Sequence, residues 1–294
     1  TMNHQYLATF FYDDETINEV LKKHKVIESG EISNPDLIEI KKYDDLAEYD
    51  DEIERQILEK DNDNDLYKLI KIKEKTYSGY LVVIYDPTRI KVATSSKLNE
   101  DGELPTTIAT NNNALITING AGFKDLNWDS NGAIPLGVVI QNGKLTFDGG
   151  SPDVGGGIFG FTSEGKLILG KMNYTKALEL GIKEGLEYGP FLIMDGKKSK
   201  IEGNGGSGLA PRTAIGQRQD GIVLFLVIEG RQLNSFGASI KDLVEIMYKY
   251  KAFNAVNLDG GSSSTLIIEN KLINNPTAKS SDGQRKIPTA LIVK

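Results

Sequence analysis

The sequence predicts an α+β fold, with a mixed, largely antiparallel sheet at its core, a few packed helices and an N-terminal helical extension. Hydrophobicity with a period of two recurs from Leu66 onward, glycine-containing turns separate these segments, and helical periodicity is confined to short stretches. The 294 residues, including 31 glycines, suffice for a large core with many turns. We divide the chain into an acidic extension, residues 1–65, and a main domain, residues 66–294.

The extension carries two predicted helices and most of the negative charge. Residues 13–25 place apolar side chains at helical spacing, with acids early and lysines late, which suits the helix dipole. Residues 43–60 carry a second apolar stripe and precede the polar run 61–65. Residues 1–75 hold 20 acidic and 11 basic residues, whereas the rest of the chain holds 21 and 23. The main domain has no basic patch, so we expect no nucleic-acid partner.

Alternating hydrophobicity predicts the strands of the main domain, and short glycine turns at 141–144 and 163–166 predict hairpins. The predicted strands are residues 66–73, 79–85, 89–94, 114–118, 136–140, 144–147, 158–162, 166–169, 190–194, 212–216, 222–228, 255–258, 265–269 and 288–293. Two helices are predicted among them. Ser239 and Asp242 resemble a capping box at the start of one, residues 239–250, and a weaker helical pattern covers residues 174–187.

Composition and motif context exclude several chemistries. Cysteine is absent, which removes disulfides and thiolates, and His4 and His24 both lie in the extension. The acid spacings at 61–65 and 125–129 lack the glycine and glutamate of a calcium loop. The glycine run 155–160 lacks the strand and helix of a dinucleotide site. We expect no required cofactor and no dedicated metal site, and an incidental divalent cation stays open.

Localisation is suggested by two features of the sequence. The absence of cysteine fits either the cytosol or a Gram-positive surface, and no run is long and apolar enough to span a bilayer. The chain begins with Thr1, which we interpret as the trace of a removed signal or membrane anchor, although a tag scar would leave the same residue. We expect an extracellular or cell-surface protein that contacts the membrane only through that anchor.

Polar residues follow four apolar segments at the points where predicted strands begin or end. They are Asn119, Arg212, Glu229 with Arg231, and Asn257 with Asp259. Charged groups beside apolar strands cost free energy unless they are paired or used, and strand ends that share an edge often frame ligand sites. Taken singly, each residue also fits a structural role, such as Asp259 in a turn or Arg212 paired with Glu229. Four such ends in one chain favour a shared site.

Five segments resemble, in sequence and in order, the phosphodiester glycosidases. They are Asn119–Phe123, Pro211–Gly216, Glu229–Arg231, Ser239–Tyr250 and Asn257–Thr265. The resemblance covers about Leu66–Lys294, and the block Asn-Leu-Asp-Gly-Gly from Asn257 is its most specific part. It implies a hydrolase that cleaves the glycosidic bond of a sugar 1-phosphodiester. It also implies a bacterial, surface-anchored member whose substrate is a cell-surface, wall or exopolysaccharide glycan.

The chemistry of this bond suggests roles for the clustered residues. A phosphomonoester is a weakly basic leaving group, so the essential needs are a phosphate-binding cation and a carboxylate near C1. We expect Asp259 and Glu229 to be the catalytic carboxylates and Arg212 to bind phosphate through its planar guanidinium. The remaining predicted substrate contacts are Asn119, Arg231, Asn257, Gly260, Gly261, Ser263 and Ser264.

Departures from the family pattern leave alternatives open. Glu229 replaces a common aspartate, Ser262 replaces a glycine, and Ala121 alters the first loop, so the sugar and the second ester group are not specified. A non-catalytic glycan- or wall-polymer-binding module would keep the same pocket. A phosphodiesterase that cuts the P–O bond would use the same cations.

Overall fold

The computed structural model of the chain describes residues 9, 11–42, 49–59, 66–125, 130–150, 152 and 154–294. Its helices are α1 Asp14–Lys22, α2 Glu52–Leu58, α3 Pro105–Asn111, α4 Tyr174–Glu179 and α5 Ile240–Lys249. Its strands are β1 Val26–Ile27, β2 Tyr67–Lys73, β3 Ser78–Ile84, β4 Ile90–Thr94, β5 Ile116–Asn119, β6 Val138–Gln141, β7 Lys144–Asp148, β8 Gly157–Thr162, β9 Leu167–Gly170, β10 Ile182–Tyr188, β11 Phe191–Met194, β12 Lys197–Lys198, β13 Lys200–Ile201, β14 Arg212–Arg218, β15 Val223–Ile228, β16 Ala252–Asn257, β17 Leu266–Ile268, β18 Lys271–Leu272 and β19 Thr289–Val293.

The strands form three large sheets and one two-stranded sheet. The largest has the order β12-β11-β16-β14-β15-β3-β2, and the two five-stranded sheets have the orders β7-β6-β10-β8-β9 and β18-β17-β5-β19-β4. The two-stranded sheet joins β1 to β13. Every strand pairing among the described residues is antiparallel. The predicted α+β class is confirmed.

The seven-stranded sheet is buried on both faces, which explains the continuous apolar run of β15. Val223, Phe225 and Val227 pack in a core cluster to which all three large sheets contribute. The alternate residues Leu224 and Leu226 pack in a second cluster with the apolar face of α5. Because successive side chains of a strand point to opposite faces, a strand covered on both sides must be apolar throughout.

Most sequence-based elements are confirmed, and one is wrong. Each predicted strand overlaps an observed strand, both predicted hairpins are present, and Ser239 and Asp242 form the predicted capping box. The helix predicted over residues 174–187 ends at Glu179 and is followed by β10. Gly181 breaks the helix at a φ of +85°, and β10 pairs with both β6 and β8. Packing between sheet neighbours thus overrides the weak helical pattern.

The described part of the extension lies against the main domain. The helix predicted over residues 13–25 is observed as α1, and α2 covers part of the stripe predicted over 43–60. Residues 43–48 and 60–65 lie outside the described residues. Within the described ranges, no helix has the length and apolarity that a membrane crossing requires.

Candidate active site

A cleft of about 750 Å³ lies where the ends of β14 and β16 meet the loops that follow β5 and precede β14. Of the predicted site residues, it brings together Arg212, Arg231, Asn257, Asp259, Gly260, Gly261 and Ser263. It also contains residues that were not predicted, among them Asp125, Tyr188 and Arg285. Four cationic side chains and two carboxylates line it, so its charge favours an anionic ligand.

Asp259 follows β16 and lies partly buried in the cleft. Its Oδ1 accepts a 3.0 Å hydrogen bond from the Gly260 N–H, and Ser263 lies beside it in the lining of the cleft. Burial raises the pKa of Asp259 to about 6, even though the Ser263 hydroxyl and the charge of Arg285 act in the opposite direction. The carboxylate is therefore ionised at neutral pH but exchanges its proton in the mildly acidic range.

Tyr188, at the end of β10, lies beside this carboxylate. Burial, followed by the charge of Asp259, raises the pKa of Tyr188 above its ordinary value, and both side chains line the cleft. The phenol thus keeps its proton and acts as a donor. Gly122 makes this packing possible, because a Cβ there would lie 2.6 Å from the Tyr188 ring.

Arg212 begins β14 and is 8% exposed. Its Nε donates to the Ala238 carbonyl at 3.1 Å, and its Nη2 donates to Ser207 Oγ at 2.9 Å and to the Gly208 carbonyl at 2.6 Å. Its Nη1 makes no hydrogen bond with any residue that the structure describes. Burial lowers the pKa of Arg212 to about 10, which leaves the guanidinium charged at neutral pH. The side chain is thus a fixed cation with one donor group left for a ligand.

Two further arginines, Arg231 and Arg285, line the cleft together with Arg212, and the three form its cationic wall. Arg231 has a left-handed φ of +58°, and its Nη1 donates to Ser262 Oγ at 3.1 Å. Arg285 pairs with Asp125 and lies over the Phe123 ring, 4.5 Å from its centroid. Because Asp125 neutralises Arg285, the positive charge available to a ligand comes from Arg212, Arg231 and Lys124.

Asn257 and Asn119 have different surroundings. Asn257 Nδ2 donates to the Gly189 carbonyl at 2.9 Å, whereas its buried Oδ1 has no partner among the described residues. Asn257 thus lines the cleft and keeps one buried acceptor without a partner among the described residues. Asn119 is absent from the residues that line the cleft, and its amide is used for internal bonds to Asp259 and Thr213. Asn119 thus holds the backbone of Asp259 from inside the protein and does not line the cleft.

The predicted backbone donors of the glycine–serine run point into the protein. The Gly260 N–H binds Asp259 Oδ1, and the Gly261 N–H donates to the Pro211 carbonyl at 2.8 Å. The Ser264 side chain is fully buried and does not line the cleft. The expected donor array at Gly260, Gly261 and Ser264 is therefore corrected, because turn formation already uses these N–H groups and Ser264 has no access to the cleft. Ser263 acts on the carboxylate of Asp259.

Glu229 is not brought to the cleft. Its Oε1 accepts a 3.0 Å hydrogen bond from the Asn275 N–H, and its carboxylate does not line the cleft. This placement argues against the expected catalytic role, since a group that acts at C1 must reach the same cleft as Asp259. The second carboxylate of the cleft is Asp125 instead.

The residues that the sequence reasoning missed are distant along the chain. Asp125 follows the Asn119–Phe123 segment but was considered only as part of a failed calcium loop, and Arg285 stands in a C-terminal segment without a periodic pattern. Tyr188 directly follows the helix predicted over residues 174–187, whose second half is β10 in the structure. Within the described ranges, no group of three or more His, Asp or Glu side chains is placed to hold a metal ion.

Comparison with known sequences gives one family. A family model described as phosphodiester glycosidase matches residues 112–294, more than half of the chain. The chain is 28% identical over 209 residues to the uncharacterized SPbeta prophage-derived protein YomE of Bacillus subtilis, which covers 69% of this chain and 31% of that protein. It is 24% identical over 170 residues to the N-acetylglucosamine-1-phosphodiester alpha-N-acetylglucosaminidase of Bos taurus, which covers 52% of this chain and 32% of the bovine protein. The chain thus spans about a third of the length of these relatives.

Solved structures share the fold. The catalytic domain of zebrafish N-acetylglucosamine-1-phosphodiester alpha-N-acetylglucosaminidase, auto-inhibited by its pro-peptide, superposes with a TM-score of 0.64 at 21% identity, covering 79% of this chain and 85% of that chain. A hypothetical protein from Synechocystis superposes with a TM-score of 0.53 at 17% identity, covering 78% of this chain and 61% of that chain. At these identities the comparison establishes the architecture.

Proposed function

The chain belongs to the phosphodiester glycosidase family, and we propose that it hydrolyses the glycosidic C1–O bond of a sugar 1-phosphodiester. The observation that carries this proposal is the position of Arg212 and Asp259 in one cleft: a fixed guanidinium on one side and a carboxylate of raised pKa on the other. Such a bond requires a cation for its phosphate and a carboxylate for its anomeric carbon.

The cationic wall supports the phosphate part of the proposal. Arg212 is held by three hydrogen bonds and presents Nη1, and Arg231 is exposed on the same side of the cleft. A guanidinium binds phosphate oxygens through directed N–H donors and stays charged throughout the neutral range. The wall thus binds the phosphate both in the substrate and in the phosphomonoester product.

Asp259 supports the chemical step. Water adds to C1, the C1–O bond breaks, and the phosphomonoester leaves with both electrons of that bond. Because this leaving group is weakly basic, it needs little protonation. The carboxylate then has three possible roles: nucleophile, base for water, or partner of the positive charge that develops at C1. Tyr188 lies beside Asp259, and Asn257, which also lines the cleft, is the expected contact for a sugar hydroxyl.

The proposed substrate class is based on the family and on the expected localisation. We propose a bacterial cell-surface, wall or exopolysaccharide glycan that contains a sugar 1-phosphodiester, cleaved by a surface-anchored enzyme. The name of the bovine relative makes N-acetylglucosamine the first sugar to test.

The test measures release of reducing sugar from N-acetylglucosamine 1-phosphodiesters by the purified protein. Asp259→Asn is expected to lower kcat at least about 100-fold without unfolding the protein. Asp14→Asn, which removes an exposed acid of α1 outside the cleft, is the matched control and keeps full activity. Undiminished turnover by Asp259→Asn contradicts the proposal, as does binding of the diester without turnover by the wild type.

Hydrolysis in oxygen-18 water identifies the bond that breaks. Label in the sugar product supports C1–O cleavage, and label in the phosphate product supports a phosphodiesterase instead. The wild-type pH profile adds a second readout, because an ionised Asp259 predicts that kcat/KM rises through about pH 6.

A further inference from the structure

A glycine-rich loop, residues 203–208, forms one wall of the cleft and holds the side chain of Arg212. Ser207 Oγ and the Gly208 carbonyl both accept hydrogen bonds from Arg212 Nη2. Gly203, Gly205 and Gly206 adopt positive φ values of +57°, +68° and +83°. Glycine has weak backbone preferences, so a loop of this composition stays ordered only if other parts of the protein fix it.

His24 fixes this loop from outside the cleft. The imidazole Nδ1 accepts a 3.0 Å hydrogen bond from the Asn204 N–H, and the Asn204 Oδ1 in turn accepts a 3.0 Å bond from the Gly206 N–H. A Cβ at Gly203 would lie only 2.1 Å from His24 Nδ1, so the loop backbone lies directly against the ring. The side chain of one residue in the extension thus fixes the first half of the loop.

The neighbouring backbone attaches the same segment to the start of the loop. The Lys25 N–H donates to the Glu202 carbonyl at 3.2 Å, and the Glu202 N–H donates back to the Lys25 carbonyl at 2.9 Å. Val26 then pairs with Ile201 in the two-stranded sheet of β1 and β13. These bonds set the position of the His24 ring relative to the loop.

A second contact of the same segment lies behind Tyr188 and Asn257, which line the cleft. Glu28 Oε1 accepts hydrogen bonds from the Gly156 N–H at 2.7 Å and the Phe191 N–H at 2.8 Å, and its carboxylate forms an ion pair with Lys171. Gly189, which lies in the turn between Tyr188 and β11, accepts the bond from Asn257. Residues 24–28 thus contact the backbone behind both of these parts of the cleft lining.

We propose that His24 is a positioning residue for Arg212 and acts through the loop 203–208. This inference rests on the proposed function, which assigns Arg212 to the phosphate of the substrate. His24 precedes the segment that matches the family model, so residues 24–28 complete a site whose reacting groups all lie within it. Loss of the Nδ1 acceptor frees the loop and removes the fixed position of Arg212. Phosphate binding then weakens in the ground state and the transition state alike, and KM rises more than kcat falls.

Three variants of the full chain test this inference. His24→Ala is expected to increase hydrogen–deuterium exchange in residues 203–208 and to raise KM about tenfold, with kcat changed less than about threefold. His24→Asn keeps an acceptor near the position of Nδ1 and is expected to restore both quantities. Lys23→Ala removes an exposed neighbouring side chain and is expected to change neither.

The outcomes separate this inference from the proposed function. Unchanged exchange in His24→Ala overturns the positioning role, and so does raised exchange with an unchanged KM. If the wild type hydrolyses no sugar phosphodiester, the proposed function fails. The inference is then tested by calorimetry, which measures the affinity of each variant for inorganic phosphate in place of KM. Tenfold weaker phosphate binding by His24→Ala then supports the inference. Equal affinity in the two proteins overturns it, as does a wild type that binds no phosphate.

Discussion

Asn119 Nδ2 donates a 2.7 Å hydrogen bond to the backbone carbonyl of Asp259. The Oδ1 of the same side chain accepts from Thr213 Oγ1 at 2.7 Å and from the Thr265 N–H at 3.2 Å. One amide thus connects β5 of a five-stranded sheet to β14 of the seven-stranded sheet and to the residue at the base of the cleft. The position of Asp259 depends on how these two sheets are joined.

Asn119→Ala is expected to destabilise the protein by about 2–4 kcal/mol, because it leaves buried donors at Thr213 and Thr265 without their acceptor. The free energy of unfolding is measured by urea denaturation. Thr110→Ala, on the exposed side of α3, is the control and is expected to change it by less than about 0.5 kcal/mol. A similarly small change in Asn119→Ala would contradict the buried bonding.

Asp259 is expected to lower stability as the pH rises from about 4 to about 6. Its pKa is about 3.9 in an unfolded chain and about 6 in the folded protein. Between these values the folded protein binds more protons than the unfolded chain, so the free energy of unfolding falls with increasing pH. The difference between the two pKa values corresponds to about 3 kcal/mol, fully present above pH 6.

The isosteric variant Asp259→Asn isolates this contribution. Its free energy of unfolding is expected to equal that of the wild type near pH 4 and to exceed it by about 3 kcal/mol at pH 7, because it has no buried charge. Urea denaturation of both proteins at several pH values gives the difference directly, and all other titrating groups cancel. A difference that does not vary with pH would disprove the raised pKa.

Arg212→Lys is expected to raise KM at least about tenfold, because an ammonium cannot reproduce the three directed hydrogen bonds of Nε and Nη2. Arg231→Lys is the matched comparison. Arg231 is exposed and makes one described side-chain bond, to Ser262, so its replacement is expected to have a smaller effect. Steady-state kinetics measure both variants. Equal increases in KM would show that the burial and hydrogen bonds of Arg212 do not make it more important for substrate binding than Arg231.

Glu54→Ala is expected to destabilise the protein by about 3 kcal/mol. Glu54 of α2 and Arg218 of β14 form an ion pair with N–O separation 3.0 Å, and their side chains are 9% and 7% exposed. Removal of the carboxylate leaves the buried Arg218 charge with Asp220 as its remaining ion-pair partner among the described residues. Glu59→Ala, which removes an exposed ion pair of the same helix with Arg55, is the control and is expected to cost less than about 1 kcal/mol.

A single cooperative transition in Glu54→Ala would show that α2 unfolds together with the seven-stranded sheet. A separate early transition, with the main transition unchanged, would contradict this coupling and would favour the division of the chain at residue 65.

The strands were accessible from the sequence because hydrophobic periodicity is a local property. β15 and β3 were predicted from their apolar runs, and the capping box at Ser239 identified the start of α5. β10 was missed because Gly181 and Gly185 weaken every periodic pattern in that segment. Its strand form depends on pairing with β6 and β8, which are distant along the chain.

The sequence by itself determined the α+β class, the main strands and the family, and it indicated Arg212 and Asp259 as site candidates, because each depends on a contiguous pattern. Only the tertiary structure decided which strand ends share a cleft. It placed Asp125 and Tyr188 beside Asp259 and placed Glu229 elsewhere. The direction in which a strand end presents its side chain is set by strand register and by the packing of one sheet on another. These long-range relationships leave no periodic trace along the chain.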